Sequence, residues 1–193
     1  MSRPLLIGLL LLTAAVVGRP AHAQSPPPPD AQIAAAVRAA PPPMRAAATV
    51  RGYTSNGTLA TLREGDGRLV CLADDPTTER FHASCYHEAL APFMQRGREL
   101  RREGRSGAAV DSLRKAEIEA GTLAYPDRPV ALYNLSGDAY DAAADTVRGA
   151  ARMRVLYVPY ATAESTGLPT TPKDGPWLMA PGEPWAHLMM TGS

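Results

Sequence analysis

The sequence predicts an α+β protein in which an antiparallel sheet carries a helical hairpin on one face. Three observations predict it. Residues 47–72 contain three runs of strand formers separated by glycine-bearing turns. Residues 88–120 show two stretches of helical periodicity, and strand formers return after residue 130. The 19 prolines and 16 glycines among 193 residues favour such a turn-rich chain over an all-helical bundle.

The elements follow in chain order. Arg3 precedes an almost unbroken apolar run from Leu5 to Val17, and Ala21-His22-Ala23 follows with the small-x-small cleavage pattern. Residues 1–23 therefore read as a secretory signal peptide. The apolar run is shorter than a helix needs to cross a ~30 Å hydrocarbon core, so no membrane span is expected after cleavage. No cysteine follows the cleavage site, which argues against a lipid anchor. With a composition of bacterial character, rich in alanine, arginine and proline, the expected location is periplasmic or secreted. Residues 24–46 carry Pro26-Pro27-Pro28-Pro29 and Pro41-Pro42-Pro43 and read as a Pro/Ala-rich tether, because polyproline is extended and buries little. A short helix, Asp30 to Ala40, fits between the two proline runs with Asp30 as its cap.

The folded domain is expected over 47–193. Thr49–Tyr53, Leu59–Arg63 and Arg68–Leu72 read as a three-strand meander, with Asn56-Gly57 and Gly65-Asp66-Gly67 as its hairpin turns. Glu88 to Glu103 places Leu90, Phe93, Met94 and Leu100 on one helical side, and a second helix spans Ser106 to Ala120. Val130–Leu135 and Met153–Val158 read as strands with a short helix, Asp138 to Val147, between them. Trp185–Met190 reads as the last strand.

Two groups of these residues bear on relationship. Gly97, Leu100, Ala109, Leu113 and Ala116 have the spacing of one tetratricopeptide helix pair, but stacked repeats need about three units and strands flank this pair on both sides. Leu62-Arg63-Glu64-Gly65, Val70-Cys71-Leu72-Ala73-Asp74-Asp75-Pro76 and Cys85 open a second pattern. Tyr133-Asn134-Leu135-Ser136-Gly137, Pro159-Tyr160-Ala161-Thr162, Gly175-Pro176-Trp177 and Pro184-Trp185-Ala186-His187-Leu188-Met189-Met190 continue it. From Ala47 to Met190 this set resembles a group of small exported bacterial proteins of unknown function. The resemblance implies a shared domain and imports no activity. Trp185-Ala186 stands where that group has glycine-proline, and Glu88–Gly121 looks like an elaboration.

Charge narrows the partners. The chain has 20 basic and 19 acidic side chains, and losing Arg3 and Arg19 with the signal leaves 18 against 19. Such a chain has no overall electrostatic footprint for nucleic acid. The only cysteines, Cys71 and Cys85, read as a disulfide in an oxidising compartment.

Chemistry-bearing residues are few. His82, Cys85 and His87, with Cys71 upstream, are the inventory of a zinc or copper site at a spacing that suits one poorly, and a disulfide would remove its thiolates. His87-Glu88 fails the His-Glu-x-x-His pattern at Ala91. No serine has the nucleophile elbow, and Asp138, Asp141 and Asp145 fit a solvated helix face better than a calcium loop. No catalytic residue, cofactor or metal is therefore assigned. His82, His87 and His187 are candidates if the protein is a metal- or histidine-dependent hydrolase-type enzyme. Tyr160, Trp177, Trp185 and His187 gather late in a chain that is 6% aromatic. They are the ligand-binding candidates, although large aromatics more often pack than bind. The leading expectation is a non-catalytic binding or interaction module of the bacterial envelope, its partner a small ligand or an envelope protein. A helical scaffold is a further alternative. Native mass spectrometry of the protein taken from the periplasm should show a chain beginning at Gln24 and two hydrogens lighter than its reduced mass.

Overall fold

A computed structural model describes residues 25–172 and 175–192; the expected signal peptide lies outside the described residues. The fold class is α+β with a large, mostly antiparallel sheet. Helix α1 (Pro29–Ala36) runs on into a 3-10 turn at Val37–Ala39, and a second 3-10 turn covers Pro42–Met44. Strands β1 (Thr49–Tyr53), β2 (Leu59–Arg63), β3 (Leu69–Leu72) and β4 (Phe81–His87) follow. The helical hairpin comes next, α2 (Ala91–Arg102) and α3 (Ala108–Glu119). Then come β5 (Val130–Gly137), β6 (Ala139–Asp141), β7 (Thr146–Arg148) and β8 (Ala151–Tyr157). The short helix α4 (Ala163–Thr166) precedes β9 (Trp177–Met179) and β10 (His187–Gly192). The main sheet has the order β2-β1-β3-β4-β5-β8-β10-β9, and β6 and β7 form a separate two-stranded hairpin.

The first three strands are those expected, but their connection is not a meander. β3 pairs with β1, in parallel, on the side away from β2. The chain therefore crosses the start of β1 between Arg63 and Leu69. Gly57 is a true positive-φ turn glycine, with φ 77°. Gly65 and Gly67 are not: a Cβ on Gly65 would press into the Ala47 carbonyl and lie 2.6 Å from the Thr49 amide. The glycines are there because one backbone lies directly on another. The Gly67 amide donates to the Ala47 carbonyl at 2.8 Å, and the Arg63 guanidinium donates to the Arg45 and Ala48 carbonyls at 2.7 and 2.8 Å.

β4 was not expected, because its histidines drew attention to chemistry and away from its period. Phe81, Ala83 and Cys85 are buried on one face of the sheet; Ser84 and Tyr86 are buried on the other. A strand buried on both faces needs two covers. The cover on the first face is α1. Ala35, Ala36, Ala39 and Ala40 pack with Val50, Cys71, Ala83, Cys85 and Leu135. The expected tether is thus a packed layer of the domain from α1 onward, because its alanines present a smooth apolar face. The buried Gln32 holds it there: its amide nitrogen donates to the Pro27 and Tyr53 carbonyls at 2.7 and 2.8 Å, and its oxygen accepts from the Tyr53 amide at 2.8 Å.

The second face packs Tyr86, Leu132, Val155 and Tyr157 against Leu90 and Met94 of the hairpin region. The helical hairpin thus does cover one face, and helices occupy both. α2 and α3 form a single pair between β4 and β5, so the architecture is sheet-based and not a stack of repeats. The helix expected over 138–147 is instead the β6–β7 hairpin, turned by Asp145 at φ 49° and tied by Asp141 accepting from the Ala143 and Ala144 amides. Among the described residues no helix is long and apolar enough to cross a membrane.

Cys71 and Cys85 face each other across β3 and β4 and form a disulfide, with Cα atoms 4.0 Å apart. Both are fully buried beneath α1, where Cys85 Sγ lies 3.6 Å from the Ala36 carbonyl. Closing a loop of this size stabilises by about 3 kcal/mol in the chain-entropy model. Replacing both cysteines by alanine should lower the unfolding free energy by roughly that amount, read as a shift of the urea midpoint with an increased dependence on α1 packing.

Candidate functional site

The structure distributes the four aromatic-group candidates over separate environments. Trp185 is half-buried under the helical hairpin, its ring 5.8 Å from Phe93. The buried Arg114 guanidinium lies 3.8 Å over Phe93 and 5.7 Å from Trp185, and its charge is met by Asp111 at 2.7 Å. His187 opens β10 and packs on Tyr157 of β8, ring centroids 5.0 Å apart. Its Nδ1 donates to the Trp185 carbonyl at 2.7 Å, which fixes the neutral tautomer with Nε2 as acceptor. Trp177 sits on β9 opposite Met189, a diagonal neighbour of His187 on the same face. Tyr160 is 53% exposed on a turn with φ 58°, its amide donating to the Glu183 carbonyl. Trp185 lines a shallow groove with Lys115 and Glu183; Tyr160, Trp177 and His187 lie outside it. Trp185 and His187 are thus packing residues first.

The histidine and cysteine candidates do not converge either. His82 and His87 are five residues apart on β4, so their side chains leave opposite faces and are separated by roughly 16 Å along the strand. The exposed His82 gives its amide to Asp74 Oδ1 at 2.8 Å. His87 Nδ1 accepts from the Ala89 amide at 3.1 Å and so caps the 3-10 turn Glu88–Leu90. The cysteines are oxidised. Among the described residues no three His, Cys, Asp or Glu side chains form a metal-holding group.

A formed cleft lies elsewhere, between α1, the β3–β4 connection and the β6–β7 hairpin. Its volume is about 430 Å³. Phe81 of β4 and Tyr140 of β6 supply an aromatic floor, with ring centroids 6.3 Å apart and planes 28° apart. Ala31 and Ala35 of α1 form one wall, while Asp74, Glu79 and Asp138 bring three carboxylates to it. Burial pushes the Asp74 carboxyl above its ordinary value, partly offset by the hydrogen bond from the His82 amide. Asp138 is partly met by Arg80 at 3.5 Å. The Tyr140 hydroxyl donates to Asp145 at 2.7 Å, and Asp145 is also ion-paired with Arg38, so the hairpin that carries the floor is fastened to α1's continuation.

Glu79 carries no motif in the sequence, and Asp74 figures there only in the pattern shared with the small exported proteins. The signal for the floor was present: Phe81, Ala83 and Cys85 alternate with period 2 and mark a strand. Compared with known protein families, curated proteins and solved structures, the chain gives no significant match.

His187 carries a pH consequence. Burial pushes its imidazole below the ordinary 6.5, with the Trp185 carbonyl pulling the other way. The unfolded chain therefore binds a proton near pH 6.5 that the folded chain resists, so stability is full above that pH and falls below it until the folded value is passed. Urea midpoints at pH 7.5 and pH 5 should differ for the wild type, and that difference should shrink in His187→Gln.

Proposed function

We propose that this protein is an exported, non-catalytic binding module of the bacterial envelope, whose ligand seat is the cleft floored by Phe81 and Tyr140. The cleft carries the reading. Its volume of about 430 Å³ falls within the roughly 300–1,000 Å³ usual for small-ligand sites, and it joins an aromatic floor to a carboxylate-bearing rim. That combination suits an organic cation on an apolar body: the ring faces attract positive charge, and Asp74, Glu79 and Asp138 supply counter-charge. Export is supported by the Arg3, Leu5–Val17 and Ala21-His22-Ala23 pattern and by the Cys71–Cys85 disulfide. The resemblance to small exported proteins agrees with it.

A histidine- or metal-dependent hydrolase has weaker support. Such an enzyme needs its acid, base or ligands within a few ångströms of one another, whereas His82 and His87 diverge and His187 is packed on Tyr157. Calorimetric titration with benzyltrimethylammonium tests the binding reading. The wild type should bind it, Tyr140→Ala and Asp74→Asn should weaken binding by several-fold to tenfold, and the asparagine can keep the bond from the His82 amide. A wild type indifferent to organic cations, or variants that bind as the wild type does, would remove the cleft from consideration.

A further inference from the structure

A second groove gathers arginines that lie far apart in the chain. Arg38 belongs to the 3-10 continuation of α1, Arg45 follows the 3-10 turn Pro42–Met44, and Arg152 and Arg154 are alternate residues of β8. Arg154 and Arg152 stand opposite Tyr133 and Leu135 of β5, on the sheet face that α1 covers. They project the same way, about 7 Å apart along the strand. A groove of about 340 Å³ runs between them and Ala39–Pro42, with Arg45, Tyr133, Arg152 and Arg154 in its wall.

The guanidinium groups are positioned by backbone. Arg45 Nε donates to the Ala40 carbonyl at 3.0 Å, and Arg152 Nη1 donates to the Arg38 carbonyl at 3.1 Å. Each keeps further N–H donors to offer. Among the described residues, only Arg38 of the four has an ion-paired carboxylate, Asp145. Among the described residues three permanent positive charges thus share one groove without an ion-paired carboxylate, with Asp145 offsetting part of the charge on Arg45, and arginine cannot shed its proton to relieve them. At Arg45 burial first, then Arg38 and Arg152, hold the guanidinium below its ordinary value, with Asp145 pulling the other way. An arrangement that costs stability in the empty protein is repaid when a counter-charge arrives. Arginine forks match the tetrahedral oxygens of a phosphate, and a groove this small takes one such group with its neighbouring moiety and not an extended polyanion.

We infer that this groove binds a phosphate-bearing ligand, with Arg45, Arg152 and Arg154 holding the oxyanion and Tyr133 forming an apolar wall. The groove lies at the other end of the α1 segment from the cation cleft, and Asp145, which accepts from Tyr140 and pairs with Arg38, stands between them. Arg154 is the residue to change, since it is exposed and its side chain, lying over Gly192 of β10, makes no hydrogen bond or ion pair among the described residues. The probes are inorganic pyrophosphate in calorimetry, and vesicles of phosphatidylglycerol in phosphatidylcholine, against phosphatidylcholine alone, in co-sedimentation. Binding should weaken as salt rises, Arg154→Glu should lose at least tenfold, and Arg154→Ala should lose less. Pyrophosphate binding without vesicle preference identifies a soluble phosphorylated ligand, and binding to anionic vesicles alone identifies a lipid headgroup; either supports the site. The inference fails if the wild type binds neither probe. It fails equally if folded Arg154→Glu, checked by circular dichroism, retains wild-type affinity.

Discussion

A sheet whose central strand is buried on both sides must be covered on both sides, and most of this structure follows from that demand. β4 presents Phe81, Ala83 and Cys85 one way and Ser84 and Tyr86 the other. The helical hairpin can satisfy only one direction. The alanine-lined α1 satisfies the other, with Gln32 fixing it to the end of β1 and the Cys71–Cys85 bridge lying beneath it. Where this segment lies over the disulfide, its fully buried apolar residues are the alanines Ala35, Ala36, Ala39 and Ala40. Because it ends over β5 and β8, its continuation delivers Arg38 and Arg45 beside Arg152. The two candidate seats flank this one cover, the cation cleft at its start and the arginine groove at its end.

Much of the fold was legible in the sequence. Two-residue alternation and helical periodicity are local properties, so the first three strands, the helix pair, β5 and β8 could be read from spacing. The reading failed where tertiary packing overrode local pattern. The short helix between the proline runs was legible, but its Pro-rich flanks disguised it as part of a tether, though a run of alanines between prolines is also what a closely packed layer requires. Asp138, Asp141 and Asp145 have helical spacing, yet Asp141 builds the β6–β7 turn by accepting from the Ala143 and Ala144 amides, and Asp145 by its positive φ. Gly65 and Gly67 were read as turn glycines when their missing side chains serve a backbone crossing.

The site was less legible than the fold. Trp185 and His187 are chemically conspicuous, and conspicuous residues attract functional readings that packing then claims. Phe81, Asp74 and Tyr140 are ordinary in sequence and meet only because two distant segments converge on α1. The same holds for charge. A chain of net charge +1 says nothing about a local excess of arginine, since opposite charges elsewhere cancel the sum while leaving the groove positive.

The place of α1 in the chain bears on how the protein would fold if it is exported as proposed. The first helix to emerge is also one whose partners arrive late: Val50, Cys85 and Leu135 must all be present before its alanines have a surface to rest on. A chain threaded through a translocon from its amino end would carry that helix across unpartnered, and short helices of low amphipathicity do not persist alone in water. Long-range closure of this kind slows folding. In an exported chain such slowness would keep the polypeptide pliable until most of the sheet had reached the compartment in which its cysteines can be oxidised.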